Sequence, residues 1–138
     1  MTDVELVHKK LAFIETCVPE LRTLARPEAV LTDIREQRFE AHTLQIAIQA
    51  ALDIAAHIAS DERLGEPDTN RALFEALAQH GWIPPTLLPT LRGMVGFRNI
   101  VVHGYETVDP GVIEQVVRRN LDDLLAYVRA IRERLASA

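Results

Sequence analysis

Apolar residues recur along the chain at alternating spacings of three and four, which is the period of an α-helix that packs on one face. No stretch shows the strict alternation of apolar and polar residues that marks a half-buried β-strand. The pattern therefore predicts an all-α bundle of about five helices, two or three of them long. The predicted helices cover residues 4–21, 28–60, 70–79, 85–103 and 110–135.

Local signals mark the first helix and its limits. Thr2 and Glu5 form a capping-box pattern at its start, in which each side chain bonds the backbone of the other residue. Pro19 lies inside the apolar pattern and is expected to kink the helix or end it early, because proline has no N–H to donate.

Three further signals divide the rest of the chain. Residues 60–69 combine Gly, Pro and charged residues and are interpreted as a connector, after which Thr69 or Asn70 is expected to cap the third helix. Gly104 is a natural end for the fourth helix. Asp109, followed by a proline, is typical of an N-cap and predicts that one uninterrupted last helix starts there.

Length and charge narrow the class of protein. A chain of 138 residues suits a single domain spanning residues 1–138. Its 15 Lys and Arg against 20 Asp and Glu give a net charge of −5, which argues against a protein that coats nucleic acid non-specifically. Residues 1–91 carry −6 and residues 92–138 carry +1, so we expect the second segment to be locally positive.

The sequence contains few signals for disulfide bonds, metal sites or cellular location. Cys17 is the one cysteine, which excludes an internal disulfide and a Cys-based zinc site, and we expect it to be buried. No apolar run is long enough to cross a membrane, and the N-terminal ten residues lack the apolar segment of a signal peptide. We therefore expect a cytoplasmic protein that does not bind membranes.

The densest group of reactive side chains lies at the end of the fourth predicted helix. Arg98, Asn99 and His103 occur within six residues, and Asn99 and His103 share a helix face because they are four apart. A guanidinium binds phosphate and an imidazole moves protons near neutral pH, so the group suits phosphate chemistry. The alternative is that His103 only ends the helix, where a cation is favoured by the helix dipole.

A second polar feature follows one face of the second predicted helix. Gln45, Gln49, Asp53 and His57 are each four residues apart. This stripe is either a solvent-exposed face of the helix or one wall of a cleft that Arg98 and His103 also line. In the second case Asp53 and His57 lie near Arg98. Asp53 and His57 lack a third and fourth ligand partner, so we expect neither a metal site nor a cofactor.

The stretch FEALAQHGWIPPTLLPTLRGMVGFRNIVVHGYETVD, residues 74–109, resembles the HepT-like toxin family of the HEPN superfamily of all-α nucleases. The motif of that family is Arg, four residues, His, one residue, Tyr. It falls here on Arg98, His103 and Tyr105. The resemblance extends over nearly the whole chain, since the order of long and short helices is also similar.

The resemblance implies a HEPN-type homodimer in which the motifs of both protomers face one cleft. It implies a metal-independent endoribonuclease that is the toxin of a toxin–antitoxin pair, with Arg98 and His103 as catalytic residues and Asn99 and Asp53 supporting the cleft. The implied partners are an RNA substrate and a minimal nucleotidyltransferase antitoxin. The antitoxin would neutralise the toxin by transferring AMP to Tyr105.

Two other hypotheses fit the same residues. The chain could be a non-catalytic helical module that binds a nucleotidyltransferase or presents its substrate. It could also be a plain dimeric scaffold whose polar cluster at Arg98 is structural.

Overall fold

The computed structural model describes residues 2–104 and 108–137, and the predicted all-α fold is confirmed. Two single-turn 3₁₀ helices, Pro27–Ala29 and Pro85–Leu87, precede the second and fourth α-helices. The six α-helices within the described residues are α1 (Val4–Leu24), α2 (Ile34–Asp61), α3 (Asn70–Gln79), α4 (Leu88–His103), α5 (Pro110–Arg119) and α6 (Leu121–Ser137).

Helix α2 is the centre of the bundle, because α1, α3, α4 and α5 all pack against it. It is 28 residues long and has buried side chains on most of its circumference. Ala47, Ala51 and Ala55 are buried along its middle, and such small side chains let neighbouring helices approach closely. In the middle of the helix, the half-exposed polar residues Gln45, Gln49, Asp53 and His57 are each four residues apart.

The last helix closes the bundle through Tyr127. Its side chain is fully buried, its hydroxyl donates a 2.8 Å hydrogen bond to the carbonyl of Ala51, and its ring meets Phe74 edge-on at 5.7 Å. Arg132 of α6 also donates two hydrogen bonds of 2.6 Å to the carboxylate of Glu15 in α1. These contacts tie α6 to α1, α2 and α3.

Capping differs from the prediction at the first helix. Asp3, rather than the expected capping box of Thr2 and Glu5, is the N-cap of α1, and its carboxylate accepts from the backbone of Leu6. The other predicted caps are confirmed. Thr69 accepts from Ala72, and Asp109 accepts from Gly111.

Pro19 was expected to kink α1 or end it early. The early end is wrong, since the helix continues through Pro19 to Leu24, and the kink stays a prediction. The second helix begins later than predicted, at Ile34, because Pro27 starts a 3₁₀ turn instead.

The predicted last helix is two helices that meet at Asn120. Its N–H donates to Val116 and its carbonyl accepts from Asp123, so the residue ends α5 and starts α6. Asparagine favours such breaks, because its short polar side chain competes with helical bonding. Among the described residues, no helix combines the length and apolar content that a membrane crossing needs.

A buried carboxyl group lies between α2 and α5. Glu40 is 0% exposed, and its two carboxyl oxygens have no hydrogen-bond partner among the described residues. Burial, together with the neighbouring carboxylates of Glu36, Glu28 and Glu114, raises the pKa of Glu40 to about 8. A pKa in that range favours the protonated form of Glu40 at neutral pH.

Glu40→Gln is expected to stabilise the protein increasingly as pH rises from about 4.5 to about 8. In that window the folded wild type holds a proton that the unfolded chain has lost, so wild-type stability falls with pH. The glutamine needs no proton. The gain at pH 8 relative to pH 4.5 should be about 2 kcal/mol or more, since each pKa unit corresponds to ~1.4 kcal/mol. Urea unfolding across this pH range measures it.

The matched control for that experiment is Glu66→Gln, at an exposed position in the connector after α2. Its stability should follow wild type at every pH. A Glu40→Gln curve parallel to wild type between pH 4.5 and 8 would contradict the buried, protonated carboxyl.

Candidate functional site

The candidate site lies on the last two turns of α4. Gly104 ends the helix as predicted, with φ of 151° and an N–H that donates to Ile100 and Val101. A residue with a side chain rarely adopts that φ, so glycine sets the point where the helix stops. His103 is left exposed on the final turn.

Arg98 is held by a side chain of α2. Its Nε donates a 3.0 Å hydrogen bond to Oε1 of Gln49, and one of its Nη groups donates a 3.0 Å bond to the side chain of Asn99. Both acceptors are uncharged amides. The guanidinium is thus oriented by two bonds, no carboxylate among the described residues neutralises its positive charge, and its other N–H groups make no hydrogen bond within that part of the chain.

Gln49 is oriented in turn by Asp53, one turn later on α2. Its Nε2 donates a 2.9 Å bond to Asp53, whose other carboxylate oxygen lies 3.4 Å from Nζ of Lys10 in α1. A chain of contacts therefore runs from Lys10 through Asp53 and Gln49 to Arg98. Asp53 was expected to lie near Arg98. In the structure the two side chains are linked through the amide of Gln49, and the carboxylate does not contact the guanidinium directly.

Asn99 joins Arg98 to the face of His103. Asn99 and His103 are four residues apart on α4, and both are exposed. His103 makes no hydrogen bond or ion pair with the described residues. Its imidazole is therefore accessible to solvent and to a substrate, one helical turn beyond the amide that contacts Arg98.

His57 does not join this group. Its Nε2 lies 3.0 Å from the carboxylate of Asp61, one turn further along α2 and beside the start of α1. The stripe on α2 thus divides, with Gln49 and Asp53 turned to Arg98 and His57 turned to Asp61. Tyr105, the remaining predicted site residue, lies outside the described residues.

A groove of about 330 Å³ adjoins the site between α1 and α2. Gln49 and Asp53 form one of its walls, and Leu6, Phe13 and Ile46 supply apolar surface. Phe13 is 43% exposed, an unusual state for a phenylalanine. Apolar surface therefore lies directly beside the polar side chains of Lys10, Gln49 and Asp53.

Sequence reasoning did not assign roles to Gln49 and Lys10. Gln49 stood in the polar stripe, one turn before Asp53, which was the available signal. Lys10 is 43 positions from Asp53, and only the packing of α1 on α2 brings them together.

Comparison with known proteins decides the family. The model of the family described as "Ribonuclease HepT-like" matches residues 14–131. This chain belongs to the HepT-like ribonuclease family. Among HepT-like relatives, the mRNA nuclease HepT of Shewanella oneidensis is 30% identical over 129 residues, covering 93% of this chain and 97% of the relative. The tRNA nuclease HepT of Aphanizomenon flos-aquae is 28% identical over 139 residues, covering 98% and 95%.

A solved HepT-like structure has the same fold. The tri-AMPylated HEPN toxin of Shewanella oneidensis, in complex with MNT antitoxin, matches with a TM-score of 0.85 at 30% identity, covering 96% of this chain and 99% of that one. The predicted family and HEPN-type bundle are confirmed, and the prediction of an RNA-cutting enzyme is confirmed at the level of the HepT-like family.

Gln49→Leu is expected to lower RNA cleavage at least tenfold while leaving the fold intact. Leucine keeps the apolar stem but removes the oxygen that orients Arg98, which the sequence motif predicts to be catalytic, and misplacing a catalytic group can cost on the order of 10²-fold in rate. Single-turnover cleavage of a labelled RNA measures the effect.

The control is Gln45→Leu, one turn earlier on the same stripe, since Gln45 is also half-buried and makes no hydrogen bond with the described residues. Equal cleavage by the Gln49→Leu and Gln45→Leu variants would contradict a role for Gln49 in holding Arg98.

Proposed function

We propose that this protein is the toxin of a HEPN and minimal-nucleotidyltransferase pair and acts as a metal-independent endoribonuclease. Arg98 and His103 carry the reaction, with Asn99 and Asp53 supporting them. The observation that carries the proposal is the Arg98 guanidinium, which two neutral amides orient without neutralising. A fixed, unneutralised arginine beside an exposed histidine suits the charge and proton transfers of phosphodiester cleavage.

In the proposed reaction the 2′-hydroxyl of the RNA attacks its own 3′-phosphate. A histidine removes the proton from that hydroxyl, the new O–P bond forms, and the bond from phosphorus to the 5′-oxygen breaks. A second histidine donates a proton to the departing 5′-oxygen. Arg98 stabilises the negative charge on the phosphoryl oxygens as it grows. The products are a 2′,3′-cyclic phosphate and a 5′-hydroxyl.

Two histidines at one phosphate are supplied most simply by a homodimer. Leu6, Phe13, Ile100 and Val102 are 37%, 43%, 47% and 49% exposed on the helices that carry or border the site. Large apolar side chains exposed in several places favour burial against another surface. A two-fold dimer would bring the His103 residues of both copies to a shared cleft.

The antitoxin is proposed to act at Tyr105, which follows His103 by two residues in the sequence. Two residues of chain extend at most about 7 Å, so AMP attached there brings a negative charge close to the catalytic histidine. That charge would repel RNA phosphate. The complex of an AMPylated HEPN toxin with MNT antitoxin supports AMP transfer to the toxin.

His103→Ala is expected to reduce RNA cleavage by 10²-fold or more, because proton transfer by a positioned side chain contributes about 10²–10⁴-fold. Wild type should cleave equally with and without EDTA and leave 2′,3′-cyclic phosphate ends. Mass spectrometry of the RNA fragments reads both the rate and the end groups.

His80→Ala is the control, because His80 also lies at the C-terminal end of a helix, where its ring nitrogen hydrogen-bonds to the carbonyl of Ala76 in α3. Unchanged cleavage by His103→Ala would refute the mechanism. Wild-type protein that cuts no RNA, yet still takes up AMP from the nucleotidyltransferase, would favour the non-catalytic module instead.

Tyr105→Phe is expected to abolish modification by the partner. The intact mass of wild type should rise by whole AMP units after incubation with the minimal nucleotidyltransferase and ATP, since the hydroxyl is the acceptor. Tyr127→Phe provides the control, because that hydroxyl is fully buried and bonded to Ala51. AMP increments that persist in Tyr105→Phe would place the modification elsewhere.

A further inference from the structure

We propose that Arg71 of α3 binds an RNA phosphate next to the one held by Arg98. The inference rests on the proposed ribonuclease function and adds a substrate-binding residue to the same site. Its basis is the position of the Arg71 guanidinium, the chemical surroundings of that group and its place in α3.

The position comes from Gly96 of α4. A Cβ atom built on Gly96 would lie 3.5 Å from Nη2 of Arg71, so the guanidinium rests against backbone that carries no side chain. Gly96, Asn99 and His103 follow one another at spacings of three and four and share a face of α4. Arg71 therefore meets α4 on the face of the catalytic histidine, about 10 Å before it at 1.5 Å per residue.

The contacts of Arg71 with the described residues indicate no structural role for its guanidinium. It is exposed and forms no hydrogen bond or ion pair with the described residues. Arg92, at the same contact between α3 and α4, donates two hydrogen bonds to Glu75 at 3.0 and 3.2 Å. The neighbouring arginine thus ties the helices together, whereas the N–H donors of Arg71 meet no acceptor among the described residues and can bind an anion.

Its place in the helix also disfavours a structural role. Arg71 is the second residue of α3, and the first turn contains no acidic residue. A cation there opposes the helix dipole, so this position does not favour its charge. A negatively charged ligand would relieve that opposition and pair with the guanidinium. The strand that passes Arg98 and His103 supplies such a charge at each flanking phosphate.

The test compares Arg71→Ala with wild type on two substrates. On a single-stranded RNA of about ten nucleotides, KM should rise about tenfold with kcat unchanged, because one charge-assisted contact is lost. On a dinucleotide that contains only the cleaved phosphate, the two proteins should behave alike. Arg71→Lys should recover part of the loss on the longer RNA, since lysine keeps the charge without the planar fork.

A binding assay separates this inference from the proposed function. Fluorescence anisotropy with an uncleavable 2′-deoxy analogue of the longer strand should show a salt dependence shallower by about 0.7 in log K against log salt for Arg71→Ala. Arg129→Ala, at another exposed arginine without a hydrogen bond to the described residues, should keep the wild-type slope.

The outcomes are distinct. Wild type that binds the analogue with the steeper slope but cleaves no RNA would refute the nuclease and leave the role of Arg71 standing. An Arg71→Ala variant with wild-type slope and wild-type KM on the longer RNA would overturn the inference. A loss on the dinucleotide as large as on the longer RNA would also overturn it, since Arg71 would then act at the cleaved phosphate.

Discussion

The hydrogen bond from Arg98 to Gln49 is the contact on which the site depends, because it joins α4 to the central helix and orients the guanidinium. A carboxylate in the place of Gln49 would hold the arginine more strongly but would also cancel its charge. The structure puts the carboxylate one step further away, at Asp53, where it fixes the amide of Gln49 and is itself contacted by Lys10. The side-chain oxygen of the amide then faces Arg98, as its other end is committed to Asp53. Orientation and charge are thereby supplied by different residues.

This arrangement requires the whole bundle. Arg98 and Gln49 are 49 positions apart, and Asp53 and Lys10 are 43 apart, so neither contact forms until α1, α2 and α4 have packed. Helix α2 is buried against four other helices by apolar contacts along its length, and the hydroxyl of Tyr127 in α6 donates a hydrogen bond to the carbonyl of Ala51. Gln49 and Asp53 are thus placed on a helix that packs against most of the bundle, whereas His103 is exposed on the last turn of α4.

The helices and much of the site could be predicted from sequence because both follow from spacing. A period of 3.6 identifies the helices, and Asn99 and His103 share a face for the same reason. The break at Asn120 could not be predicted from apolar spacing, because the pattern continues in register on both sides of it. The partner of His57 was equally hidden, since Asp53 and Asp61 are each four residues away and only packing chooses between them. The role of Gln49 depends on the orientation of its side-chain amide, which the spacing of residues along the sequence does not determine.

Folding pairs charges in a way that the distribution of charge along the sequence does not predict. Along the chain the positive residues gather after residue 91, which suggests a basic segment. In the fold several of them meet acids from the first segment, as Arg92 meets Glu75 and Arg132 meets Glu15. Net charge along the sequence therefore does not locate positive potential in the described part of the chain. Among the described residues, the positive charge available near His103 belongs to Arg98, whose partners are amides, and to Arg71, which comes from the acidic segment. The proposed RNA site in a protein of net charge −5 thus depends on which arginines lack a carboxylate partner in the described part of the chain rather than on how many arginines there are.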